Sequence, residues 1–313
     1  MTGFPPSGWQ ALRITYERWW AGSLGRPIIP VVVTGQDPGR PCPDVPLLSQ
    51  ATCMNLDYTP AQLIDRVDFE LSTRRYVRDS FPFFNMDCFG PGVAAAFLGA
   101  RMDNRTGQVW FDMERAIPIR ELRLSFQPDN FWLNRVKDIY REARRRWQGE
   151  VVLGLPDLGG VMDILATFLG SENLLLALYD EPEEVRRLVW EVSVLWHRLY
   201  GEFIDIIGPD ARGFSDWLGV YSPKPSYVLQ CDFAYMVSNP MFREFALAEL
   251  SDSAARLHRA FFHLDGRGML RHLDDILALE HIHAIQWVPG DGSPRQDEWP
   301  EVYRKIAAAG KRT

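Results

Sequence analysis

Cysteine is scarce in this chain. Four residues, Cys42, Cys53, Cys88 and Cys231, are scattered through 313 positions, with no C-x₂-C spacing among them. A zinc ribbon and a thioredoxin-type motif are therefore excluded, and scattered thiols fit a reduced, cytoplasmic protein better than a disulfide-stapled one. Long apolar runs are also missing: none approaches the roughly 18 residues of a membrane span, and the proline-bearing start does not read as a signal peptide. Nor is there an excess of cations. Lys and Arg number 34 against 41 Asp and Glu, a net charge of −7, whereas nucleic-acid binding needs clustered positive charge. No G-x-G-x-x-G follows a strand and no phosphate-loop motif occurs, so nucleotide-binding versions of an α/β fold lose support. Neither G-x-S-x-G nor H-E-x-x-H is present, which removes the serine-hydrolase elbow and the zincins. What is left is a small-molecule substrate, with no nucleic acid and no membrane as partner.

What is present reads as one α/β domain over residues 1–313. The composition, 46% hydrophobic and 24% charged, is that of a globular chain. Ile28 to Val33 is β-branched without polar alternation, the pattern of a strand covered on both faces. Residues 34–62 carry five prolines and no period, and read as a long excursion over the rim of the domain. Further strands are expected near Phe83, Val151, Arg212, Tyr227, Phe261 and Ala284, and a small hairpin around Gly107. Between them, Phe131–Trp147 and the stretch opened by Asp180-Glu181-Pro182 have the apolar spacing and start signals of amphipathic helices. Strands alternating with helices predict a parallel sheet, and seven such units predict a (β/α)₈ TIM barrel lacking its last strand because the chain ends at Thr313. Such a gap would leave two strand edges unpaired and apolar surface uncovered.

In a barrel the chemistry sits at the carboxyl ends of the strands. Those ends carry Asp87, Asp157, Asp216-Trp217, Gln230-Cys231-Asp232, His263-Leu264-Asp265 and Gln286-Trp287. Aspartate before glycine or proline is also ordinary turn chemistry, so the convergence on one rim carries the functional reading more than any single residue does. His263 and Asp265 stand two apart on a strand and share a face. Either Asp265 orients the imidazole or both bind one metal or substrate group, with Asp232 one strand away as a third acidic group. His263, Asp265 and Asp232 are thus the catalytic candidates. Asp87, Asp157, Trp217, Gln230, Gln286 and Trp287 are the substrate-binding candidates, the two tryptophans being either a stacking surface or core residues.

The run Leu158-Gly159-Gly160-Val161-Met162-Asp163-Ile164-Leu165, with Gly170-Ser171-Glu172-Asn173-Leu174, Gln230-Cys231-Asp232-Phe233, His263-Leu264-Asp265-Gly266 and Ile285-Gln286-Trp287-Val288-Pro289-Gly290, resembles the uroporphyrinogen decarboxylase superfamily. The likeness runs from about residue 10 to the end, and is greater to the decarboxylase-like branch near the corrinoid-dependent methyltransferases. It implies a (β/α)₈ barrel and one of two chemistries. The decarboxylases place R-Q-A-G-R after the first strand to meet substrate carboxylates. The same place here reads Thr34-Gly35-Gln36-Asp37-Pro38-Gly39-Arg40, where only Arg40 could play that part, and Asp87 is the nearest match to their pyrrole-holding aspartate, though the residues before it depart from the family pattern. The methyltransferase branch binds zinc through H-x-C at the end of the sixth strand and a distant cysteine. His263-Leu264-Asp265 fills the H-x-C place with a harder oxygen ligand, which suits zinc or another divalent metal. The distant cysteine has no counterpart before Thr313, so the resemblance implies a metal-assisted, methyl-transfer-like site and leaves it incomplete, with a corrinoid as methyl donor or acceptor and a corrinoid protein as the partner it would imply. Tetrapyrrole decarboxylation, or a barrel that binds a corrinoid without catalysis, are the alternatives.

Overall fold

The computed structural model of the chain describes residues 4–115 and 117–313. Its strands are β1 (Pro30–Val33), β2 (Arg75–Arg78), β3 (Phe83–Phe84), β4 (Arg101–Asp103), β5 (Trp110–Asp112), β6 (Val152–Leu155), β7 (Ser215–Asp216), β8 (Ser226–Gln230), β9 (Arg259–Asp265) and β10 (Ile282–Val288). Two parallel sheets run β3-β6-β7 and β8-β9-β10, and β1-β2 and β4-β5 are antiparallel ribbons. The fold is thus mixed α/β with parallel sheets. β6 and β8 are buried throughout, as strands covered on both faces must be. At the junction of the two sheets β7 packs beside β8.

No sheet among the described residues closes on itself, so the ladders alone do not make the expected barrel. Two edges account for this. After β10 the chain returns and Arg312 forms a single parallel bridge with Ala284, its N–H donating to the His283 carbonyl. At the other edge, the expected wall strand from Ile28 to Val33 is corrected. β1 pairs antiparallel with β2 and lies exposed along its whole length. Local anchors hold it there. The Asp79 carboxylate accepts from the Arg26 guanidinium at 2.8 Å and from the Ile29 N–H at 2.7 Å, and Ser80 Oγ donates to the Val31 carbonyl at 2.6 Å. β-branched residues favour extended backbone whether or not they are covered, so the run specified a strand but not its burial.

Helices cover the parallel sheets. Phe131–Trp147 starts at Asn130, whose side chain accepts the Leu133 N–H at 2.9 Å, and ends at Gln148 in the left-handed region after three basic residues. Its buried face is Leu133, Val136, Ile139, Tyr140, Ala143 and Trp147. Pro182–Ile207 opens with proline and two glutamates and buries Leu188, Val192, Trp196, Leu199 and Phe203. Trp196 Nε1 donates to the Gly159 carbonyl at 2.9 Å, which fixes the loop leaving β6. The expected hairpin around Gly107 is β4-β5. Helix Pro60–Ser72 begins inside the expected 34–62 excursion, capped by Thr59 and Gln62.

Candidate functional site

Parallel pairing across β8, β9 and β10 puts Gln230, His263 and Gln286 in one row. Side chains alternate across a strand, so His263 and Asp265 share the face on which Gln230 and Gln286 lie. Asp232 begins the short helical turn Asp232–Met236 directly after β8. One ligand atom from each of Asp232, His263 and Asp265 lies within 4.8 Å of the others.

The imidazole is fixed from two sides. His263 Nδ1 donates to Gln286 Oε1 at 2.6 Å, which leaves the Nε2 lone pair free. The Trp217 ring meets it edge to face, 5.2 Å between centroids. Burial lowers the His263 pKa, favouring the neutral ligand form, while Gln286 and Asp265 act in the opposite sense. Asp232 is held through its backbone. The Asp163 carboxylate accepts the Asp232 N–H at 3.1 Å and the Phe233 N–H at 2.7 Å. This close seating needs glycine at 160, where a Cβ would stand 2.3 Å from the Gln230 carbonyl oxygen and 2.4 Å from Asp163 Oδ2. Burial raises the pKa of Asp163 and of Asp232, and each rises further from a carboxylate beside it, Asp232 for the one and Asp265 for the other. Among the described residues no ion pair offsets this charge at Asp232.

Further acids border the row. Asp157, 4% exposed, takes the Gly159 N–H at 2.8 Å, and burial followed by the fields of Asp87 and Asp232 pushes its pKa up to about 8. Asp216 takes the Leu218 N–H at 3.0 Å, and burial pushes it up to about 7. Burial raises Asp87 as well. These shifts set a pH dependence. An unfolded aspartate loses its proton near pH 4, whereas folded Asp157 and Asp216 keep theirs to about pH 8 and 7. Their contribution to stability is full below pH 4 and is lost as pH rises through those values. Buried histidines act with the opposite sign below about pH 6.5, so the carboxyls are isolated between pH 6.5 and 8. Urea unfolding should show stability falling across that window, and Asp157→Asn should flatten the fall. An unchanged slope in the variant would refute the assignment.

The structure thus gathers Asp232, His263, Asp265, Gln230, Gln286 and Trp217, with Asp87 and Asp157 beside them. Two expected residues stand elsewhere. Trp287 pairs in register with Leu264, so it faces away from His263, and its ring packs on Trp299 at 5.3 Å. Neighbours on a strand cannot both face the site, and Gln286 takes that face. Arg40 is bound to Asp65 at 3.1 Å and to Asp68 at 3.3 Å, with Arg146 on the same two carboxylates. There it braces the excursion against helix Pro60–Ser72. Asp163 was not among the expected site residues. Its signal is Gly159-Gly160-Val161-Met162-Asp163, an acid in the first turn of a helix that follows a strand end directly.

Two openings reach the cluster. One, of about 780 Å³, is lined by Asp265, Val288 and the loop from Pro289 to Asp297, Arg295 included. The other, of about 380 Å³, is lined by Asp163, Asp232, Phe111, Thr167, Phe233 and Met236. Among the described residues no single helix is long and apolar enough to cross a membrane.

No family model matches the chain, and no curated protein matches it by sequence. Among solved structures it is similar to a methyltransferase from Methanosarcina mazei. The TM-score is 0.54 and the identity 12%, over 79% of this chain and 72% of that one. At that identity the likeness is one of fold.

Proposed function

We propose that this chain is a metal-assisted, corrinoid-linked methyltransferase of the uroporphyrinogen decarboxylase superfamily, built on a barrel of the (β/α)₈ type. The observation that carries the reading is the Asp232, His263 and Asp265 cluster at the carboxyl ends of adjacent parallel strands. The donor set fits a divalent ion. It has two carboxylate groups that accept no hydrogen bond among the described residues, and a neutral imidazole whose other nitrogen is already engaged. A zinc or similar ion held there supplies a positive charge that keeps a bound thiol as thiolate near neutral pH.

The remaining work belongs to the chain. Gln286 selects the imidazole tautomer and Trp217 limits the ring's rotation. Asp163 holds the backbone of Asp232 and Phe233, so the Asp232 carboxylate stays beside Asp265 against their repulsion. The fold likeness to a methyltransferase agrees with this reading. Decarboxylation of a polycarboxylate is disfavoured, because such a substrate needs several cations and Arg40 is committed to Asp65 and Asp68.

Metal analysis of the purified protein, with a methylcobalamin-to-thiol transfer assay, tests the reading. One divalent ion per chain and metal-dependent formation of a methyl thioether are expected. Corrinoid binding without turnover would overturn it in favour of a carrier, and release of carbon dioxide from uroporphyrinogen in favour of a decarboxylase.

A further inference from the structure

The far end of the β8-β9-β10 sheet carries a second concentration of charge, opposite in sign to the first. Arg259 opens β9 and His283 stands near the start of β10, four and three residues before His263 and Gln286. At about 3.3 Å per residue that is roughly 10–13 Å from the acidic row.

The geometry at His283 is built. Pairing runs Ile282 to Ala260 and then Ala284 to Phe261, so His283 is the extra residue of a β-bulge. A bulge re-aims a side chain. Here it turns the ring so that Nδ1 accepts the Ala260 N–H at 3.2 Å. An Nδ1 that accepts carries no proton, so the neutral ring offers Nε2–H as a donor. The ring also meets Trp20 edge to face, 6.4 Å between centroids. Arg259 takes part in no ion pair among the described residues, and its guanidinium lies over the same tryptophan, 5.9 Å from the ring centroid. Burial, then the charges of Arg259 and Lys311, push the His283 imidazole down to about 4. Lys224 adds its charge beside His258. Among the described residues Lys311 Nζ donates to the Leu279 carbonyl alone, at 2.7 Å. Two acids are near. Glu17 is engaged by Arg13 at 3.1 Å, and Glu280 is exposed beside Lys311.

The arrangement presents a fork of guanidinium donors, an imidazole N–H and two ammonium groups, with almost no acceptor of its own. Gathering unpaired like charges is costly, and a multivalent oxyanion relieves it while accepting from several directions at once. We infer that the amino-terminal ends of β9 and β10 form a binding site for a phosphate-type oxyanion, with Arg259, His283, Lys311 and Lys224 as its donors. The site stands apart from the acidic cluster and does not depend on the methyl-transfer reading.

Titration of the full chain with inorganic phosphate at low ionic strength, followed by calorimetry and by the ¹⁵N shifts of His283, tests this. Saturable 1:1 binding that moves both His283 nitrogens is expected. Arg259→Gln should weaken it at least tenfold. Lys224→Gln, at an exposed position where folding is not at risk, should weaken it severalfold. Glycerol 3-phosphate in a parallel arm separates the sources: tighter binding than inorganic phosphate assigns the site to a phosphate ester, and equal binding to the free ion. Absence of saturation, an equal response to chloride at matched ionic strength, or unchanged affinity in both variants would overturn the inference.

Discussion

If the acidic site works as proposed, His263→Ala should strip it of its divalent ion and of turnover. His263 is the one nitrogen donor of the cluster, and its removal leaves Asp232 and Asp265 facing each other with no neutral ligand between them. Loss of an outer-shell partner alone typically costs about 10–100-fold in metal affinity or activity, and loss of the ligand itself should exceed that. The neighbouring row refines the test. Gln286→Ala removes the acceptor from His263 Nδ1 and frees the ring, so about a 10–100-fold loss is expected. Gln286→Glu restores an acceptor, and should recover most of that loss. Metal content by mass spectrometry and methyl-transfer rates are measured on the same preparations. A His263→Ala protein that keeps stoichiometric metal and wild-type rate removes this site from the mechanism. Failure of Gln286→Glu to recover what Gln286→Ala loses would show that the residue acts by packing instead.

Tyr227→Phe should cost about 2–6 kcal/mol of stability, a large effect for one oxygen atom. The Tyr227 ring is 1% exposed, and its hydroxyl donates to the Pro156 carbonyl and accepts the Leu158 N–H, both at 2.7 Å. Phenylalanine fills the same space but leaves a carbonyl and an amide without partners in the core, each carrying about 1–3 kcal/mol of desolvation cost. Those groups flank Asp157, so the loop leaving β6 should loosen before the rest of the domain. Urea unfolding should show a lower midpoint with an unchanged slope. Tyr200→Phe is the comparison. Its hydroxyl reaches the Ser226 carbonyl only at 3.4 Å, so its effect should be much smaller. Equal stabilities for Tyr227→Phe and the parent would mean that water or a shifted backbone satisfies both groups.

Local physics made much of this protein readable before its coordinates. Helix Phe131–Trp147 has the bounds its apolar spacing indicates, because capping and periodicity act within a few residues. Apolar runs indicated β6, β8, β9 and β10, and the two-residue alternation along β9 put His263 and Asp265 on one face. The same alternation, applied to β10, separates Gln286 from Trp287.

The rest depended on partners far away in the chain. The row of Gln230, His263 and Gln286 exists only because β8 and β10 pair with β9 in one register, and a one-residue slip would turn every side chain to the other face. Asp163 became a site residue when the turn after β8 came to rest on it, 69 positions further along the chain. Arg40 reads as a free cation until helix Pro60–Ser72 brings Asp65 and Asp68 against it. The valines of β1 say strand and nothing about what covers them, because β-branching sets the backbone while burial is decided by whatever else packs there. Periodicity, capping and turn chemistry were therefore the sequence's own to determine. Register, pairing and the convergence of acids on one imidazole were decided by contacts between segments that no local preference encodes.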